Sequence, residues 1–285
     1  MEKLQIRVNV LNQLSKIAKK ITIHDHSKQP TIIRTYYAKH LFNKIALGAR
    51  SILAIIKAGL SESEEIQLLD ASSIASITRD IIEGHTVFQY LCIDNITENE
   101  LDFRLNLMSY HHGYDVIKLS RLFGFDENDQ FNYAMHLQKK ISAMSLEKNA
   151  IFNALDRKTQ KRLLDGEKAY YWGTNGRKKV GLISPETESG IYRLFSTSVH
   201  TLPLGVSNSN EGVLPGHTHF DQLNLIFLSV EVASLYLALT IKSYLNLRRH
   251  LAQSITSNEK KYIKEVLDSR LIEKWVQLRK EYVER

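Results

Sequence analysis

Almost nothing in this chain interrupts a helix: its 285 residues include only 4 Pro and 13 Gly, the two residue types that cost a helix interior most. Apolar residues recur at three- and four-residue spacing through 3–21, 32–58, 65–91, 98–122, 129–155 and 222–254, the period of an amphipathic helix. A last, charged helix is expected over 258–283. The stops agree. Gly124 ends one helix, Asp126 or Asn128 opens the next, Thr256-Ser257-Asn258 caps the last, and Thr218 with Asp221 forms a capping-box variant ahead of Leu223. The expected fold class is all-α, a multi-helix bundle forming one domain over 1–285.

Two of its most apolar helices carry charge. Arg79 and Glu83 are four residues apart within 68–91, so a helix places them on one face as a pair. Glu231 interrupts the still more apolar run 223–241. Burying charge costs several kcal/mol per ion unless each finds a partner. These residues therefore nominate a polar centre, either an active site or a structural ion-pair network.

The run 223–241 approaches the roughly 20 residues that span a bilayer, but a carboxylate at its middle is expensive there. The reading taken is a buried core helix with no membrane association. The N-terminal stretch intersperses Lys3, Arg7, Lys16, Lys19 and Lys20 with apolar residues and lacks the uninterrupted apolar core of a signal peptide. A single cysteine, Cys92, rules out an intrachain disulfide and fits a reducing compartment. The expected location is cytoplasmic. Net charge is +7, with clusters at Arg157-Lys158, Lys161-Arg162, Arg177-Lys178-Lys179 and Arg248-Arg249. Diffuse positive charge of this kind gives salt-sensitive attraction to polyanions. RNA is accordingly one expected partner; a second copy of the chain or another protein is the other.

From 168 to 218 the helical period fails. Aromatic residues Tyr170, Tyr171 and Trp172 precede an Asn175-Gly176 turn, and Arg177 follows it. A short helix over 188–199 and a glycine- and serine-bearing loop complete the segment. Long irregular connections in compact proteins are uncommon unless they line a site or are disordered, and this one is a candidate pocket wall or lid. On the short helix Tyr192, Ser196 and His200 fall at successive four-residue steps. Arg193 and His200, seven residues apart, project within about 20° of one another.

The arrangement Arg79-x-x-x-Glu83, then Trp172 before a basic turn, then Tyr192-x-x-x-Ser196-x-x-x-His200 resembles the bacterial helical proteins grouped as the domain-of-unknown-function 5677 family. That resemblance implies a helical fold and no particular activity. The chain also resembles the HEPN superfamily, helical bundles whose ribonuclease members carry an Arg followed after four to six residues by His. The pattern occurs at Arg34/His40, Arg79/His85, Arg104/His111 and Arg193/His200. Only the last two have the gap that brings both side chains to one helix face. No Asn, Asp or His directly follows Arg193, a departure from the HEPN pattern. The resemblance implies metal-independent cleavage of RNA or another phosphodiester by a toxin or phage-defence effector, with no cofactor.

The catalytic candidates are Arg193, His200, Arg79, Glu83 and Glu231, with Trp172, Arg177, Tyr192 and Ser196 toward substrate. An imidazole moves a proton, a guanidinium holds a phosphate and a carboxylate orients the imidazole. His217-x-His219-x-Asp221 and His24-Asp25-His26 have alternating metal-ligand types but lack the further ligands that a zinc site needs, and no metal is assigned. The reading from a different class is a non-catalytic helical interaction subunit.

Overall fold

The computed structural model describes residues 2–26, 32–61, 69–125, 130–171, 183–199, 220–269, 271, 272, 274 and 277. Every regular element among them is helical, as expected for an all-α fold. The chain divides into two compact units, one made of Met1–Ile93 with Lys179–Arg285 and the other of Asp94–Lys178. Nothing in the composition around Ile93 announces that boundary.

The first unit contains α1 (Glu2–His26), α2 (Ile33–Ser61), α3 (Ala71–Phe88), α8 (Pro185–Val199), α9 (Phe220–Leu247) and α10 (Ser257–Asp268). Helix α9 is apolar around most of its circumference, with Ile226, Val230, Ala233, Leu237 and Ile241 fully buried. A helix of that composition has to be covered on several sides, and α1, α2, α3 and α10 cover it. It is long and apolar enough to cross a membrane, yet 78% of its most apolar window is buried inside the structure. Helices α2 and α3 approach closely where side chains are missing. A Cβ on Gly48 would lie 3.0 Å from Ile81 Cγ1, and one on Gly84 would lie 3.1 Å from Ile45 Cγ1. Gly84 does not break α3, which continues into a π-helical turn, Gln89–Ile93. Cys92 is buried there, and desolvation pushes its thiol up to about 12, so it stays protonated and inert.

Buried charge ties the C-terminal end of α1 to that of α9. Asp25 accepts hydrogen bonds from Tyr244 Oη at 2.6 Å and from Arg248 Nη2, and its side chain is 2% exposed. Tyr244 stacks on Phe42 with ring centroids 4.3 Å apart. Burial first, and the adjacent Asp25 second, raise the phenol well above its usual range. Asp25, weighed above among alternating metal-ligand residues, is thus engaged by a guanidinium and a phenol.

The second unit contains α4 (Glu98–Leu122), α5 (Gln130–Lys148), α6 (Ala150–Asn153) and α7 (Arg157–Leu164). Helix α4 is capped by Thr97 and stopped by Gly124 at φ +69°, the glycine stop read in the sequence. The fifth helix ends at Lys148 instead of 155, because the Asn149 side chain accepts from Ile151 N and starts a new turn. Helix α7, which the periodicity missed, is capped by Asp156. Phe103, Leu107, Tyr110, Leu146, Phe152 and Leu163 form the core of this unit. Arg104 is buried in it, donating to Asp94 at 2.9 Å and Glu100 at 2.6 Å, while His111 faces Asp115 at 3.1 Å. These neighbours engage the Arg104/His111 pair separately.

Candidate functional site

Helix α8 is held against its unit by two tyrosine–carboxylate contacts. At its first turn buried Glu188 accepts from Tyr236 Oη of α9 at 3.1 Å. One turn later Tyr192 Oη donates to Glu83 Oε1 of α3 at 2.5 Å. The four-residue step from 188 to 192 places both contacts along one side of α8, while Ile191, Phe195 and Ser198 are also buried.

Arg79 completes the second contact. Its Nη2 donates to Glu83 Oε1 at 3.0 Å and to Tyr192 Oη at 3.3 Å, its Nε lies 3.4 Å from the same hydroxyl, and its guanidinium carbon sits 5.4 Å from the Tyr192 ring centroid. The hydrogen bond that Arg79 donates to the Tyr192 hydroxyl is the largest influence raising the Arg79 pKa, so the group is permanently cationic. Desolvation, then the Glu83 hydrogen bond, raises the Tyr192 phenol, so the hydroxyl remains a donor at neutral pH. The cluster is not sealed: the Arg79 side chain is 28% exposed and that of Glu83 41%. Three of the guanidinium's five N–H groups point at these partners; among the described residues the two on Nη1 have none.

Of the other sequence-nominated residues, Arg193 is exposed on α8 beside Tyr192. Ser196, one turn beyond Tyr192, has a buried hydroxyl with no hydrogen-bond partner among the described residues. His200, Trp172, Arg177, His217 and His219 lie outside the described residues, as does the Asp221 side chain. Glu231 follows a different course from the expected convergence: it is paired with Arg7 of α1, whose Nε donates to Oε1 at 2.6 Å, and no ion pair joins it to Arg79 or Arg193 among the described residues. The two residues are 224 positions apart, beyond the reach of any local pattern.

His85, two residues past Glu83 in α3 and therefore on another face, is buried. The Thr240 hydroxyl donates to the Tyr236 carbonyl at 2.7 Å. Its one proton is then used, so it accepts from His85 Nδ1 at 2.8 Å, and His85 Nε2 is left to accept from Gln89 at 3.3 Å. The imidazole thus ties α3 to α9 through its Nδ1–Thr240 contact. The Arg79/His85 match thus separates into an accessible guanidinium and a buried structural histidine. Sequence reasoning missed Glu188, Tyr236 and Thr240; their only signal is the scatter of polar residues in an apolar helix.

No family model, curated protein or solved structure matches this chain. Among the described residues no group of three His, Cys, Asp or Glu is placed to hold a metal ion.

Proposed function

We propose that the α3–α8 face is the working surface of a metal-independent, phosphodiester-acting effector with RNA as substrate. The observation that carries this reading is the half-exposed Arg79–Glu83–Tyr192 cluster, in which a fixed cation has two N–H groups without a partner among the described residues, beside a phenol and a carboxylate. Arg79 holds a non-bridging phosphate oxygen, where charge grows as the ribose 2′-oxygen bonds to phosphorus. His200, eight residues beyond Tyr192 in the sequence, takes the 2′-hydroxyl proton and returns it to the departing 5′-oxygen as the P–O5′ bond breaks. The products are a 2′,3′-cyclic phosphate and a 5′-hydroxyl. The net charge of +7 supports a polyanionic substrate.

Purified protein incubated with RNA in excess chelator tests the reading. Cleavage is expected in the wild type, is expected to vanish in His200→Ala and to persist in Ser196→Ala. Cleavage that stops with chelator, or survives His200→Ala, removes this mechanism.

A second reading, the interaction subunit, is favoured by the apolar side chains that α5 leaves exposed. Asn132 and Ser142 are buried, whereas Tyr133, Leu137, Ile141 and Met144 are 67%, 46%, 54% and 48% exposed. Ala134, Leu137, Ile141 and Met144 follow the 3-4-3 spacing of a coiled-coil seam, and an exposed apolar stripe on a charged protein marks an association surface. A second copy of the chain supplies the matching stripe. Sedimentation of the wild type should show a concentration-dependent dimer that Ile141→Glu converts to monomer. A wild type that stays monomeric at high concentration refutes self-association through α5.

A further inference from the structure

Glu231 has an oxygen that no described residue engages. Arg7 engages Oε1, but Oε2 is buried and has no hydrogen-bond partner among the described residues, and the side chain is only 4% exposed. Leaving a carboxylate oxygen unpaired out of water costs roughly 1–3 kcal/mol or more. Burial accordingly raises the Glu231 pKa, with Arg7 opposing it. Native proteins satisfy nearly all such atoms, and an exception asks for an explanation.

The explanation offered by the surroundings is a cavity. Beside Glu231 lies a space of about 290 Å³ walled by α1, α9 and α10, at the lower end of small-molecule sites, roughly 300 Å³. Ile6, Val10, Leu235, Val266 and Ile272 make most of the wall apolar. The polar groups at it are Arg7, Glu231, Ser234, Tyr262, Glu265 and Ser269. Ser234 already donates to Val230 O at 2.7 Å. Glu265 is drawn toward Lys261 only loosely, at 3.7 Å and in solvent, where such pairs are weak. Two carboxylates and one guanidinium therefore face one apolar space. A carboxylate binds most strongly to a charged donor, and the soft terminal torsion of a Glu side chain lets Oε2 turn to meet one.

We propose that this cavity binds a small aliphatic amine, with its ammonium on Glu231 and its alkyl chain among Ile6, Val10, Leu235, Val266 and Ile272. The site shares no residue with the Arg79–Glu83–Tyr192 cluster and stands whether or not that cluster cleaves RNA.

Calorimetric titration of the full chain with n-octylammonium, n-octanol and n-octanoate, each below its micelle concentration, provides the test. Octylammonium should bind at least 10-fold more tightly than either control. Glu231→Gln should lose about 10-fold or more of that affinity, and Leu235→Trp should abolish binding by filling the space. The wild-type series decides the matter even where a variant fails to fold. Equal binding of the three probes, tighter binding of octanoate, or no octylammonium binding overturns the proposal.

Discussion

Asp25→Ala should destabilise the first unit by about 3–5 kcal/mol, the cost of removing one partner from a buried ion pair. The substitution leaves the Arg248 guanidinium, whose side chain is 6% exposed, without its carboxylate in a site from which water is excluded. Tyr244 simultaneously loses the acceptor for its hydroxyl. Tyr244→Phe removes only the neutral donor and should cost less, about 0.5–1.5 kcal/mol, because the stacking on Phe42 survives. Asp25→Leu combined with Arg248→Met should recover most of the loss, since apolar replacement of a whole buried pair is often neutral. Urea unfolding followed by circular dichroism measures all three. A loss below about 1 kcal/mol for Asp25→Ala would show that the pair contributes no more than a surface contact.

The largest expected effect on activity belongs to Arg79. If its guanidinium holds the phosphate, Arg79→Ala should lower RNA cleavage by about 10²–10³-fold, the range found on deleting one preorganised donor to developing negative charge. Tyr192→Phe keeps the ring under the guanidinium and removes the hydroxyl between Arg79 and Glu83, so a smaller fall is expected, about 10-fold, with the loss appearing in kcat more than in KM. Unfolding of both variants should remain close to wild type, because the cluster is half-exposed and exposed ion pairs contribute about 0–1 kcal/mol. Cleavage unchanged in Arg79→Ala would remove this cluster from the chemistry.

What could be read without coordinates was what depends on near neighbours in the chain. The all-α class follows from the scarcity of helix breakers, and Gly124 and Thr256 mark helix ends because caps are local chemistry; Thr256 closes a full capping box with Glu259. The Arg79–Glu83 pair was legible because four residues is one helical turn. Tyr192 was legible as a candidate only through its spacing to Ser196, and nothing local announced that its hydroxyl reaches Glu83, 109 positions away. Glu231 was visible as a charge out of place, but its partner Arg7 looked like one more cation in a basic helix. Asp25, flanked by His24 and His26, showed only alternating ligand types in the sequence, because its real partners are more than 200 positions away. The end of α5 was misplaced because apolar periodicity continues through 155, while Asn149 turns the backbone with its own side chain.

The first unit is assembled from two separate segments of the chain, with the second unit inserted between Ile93 and Lys179. Its α1, α2 and α3 pack on α9, so they leave the ribosome well before the helix that covers them. At ~5–20 residues per second, their apolar faces wait for several seconds while the whole inserted unit is made. The inserted unit, contiguous in sequence, completes its own core during that interval. The nascent chain therefore carries a finished domain attached to an unfinished one, and the exposed faces of α2 and α3 are where a holding chaperone is most needed during synthesis.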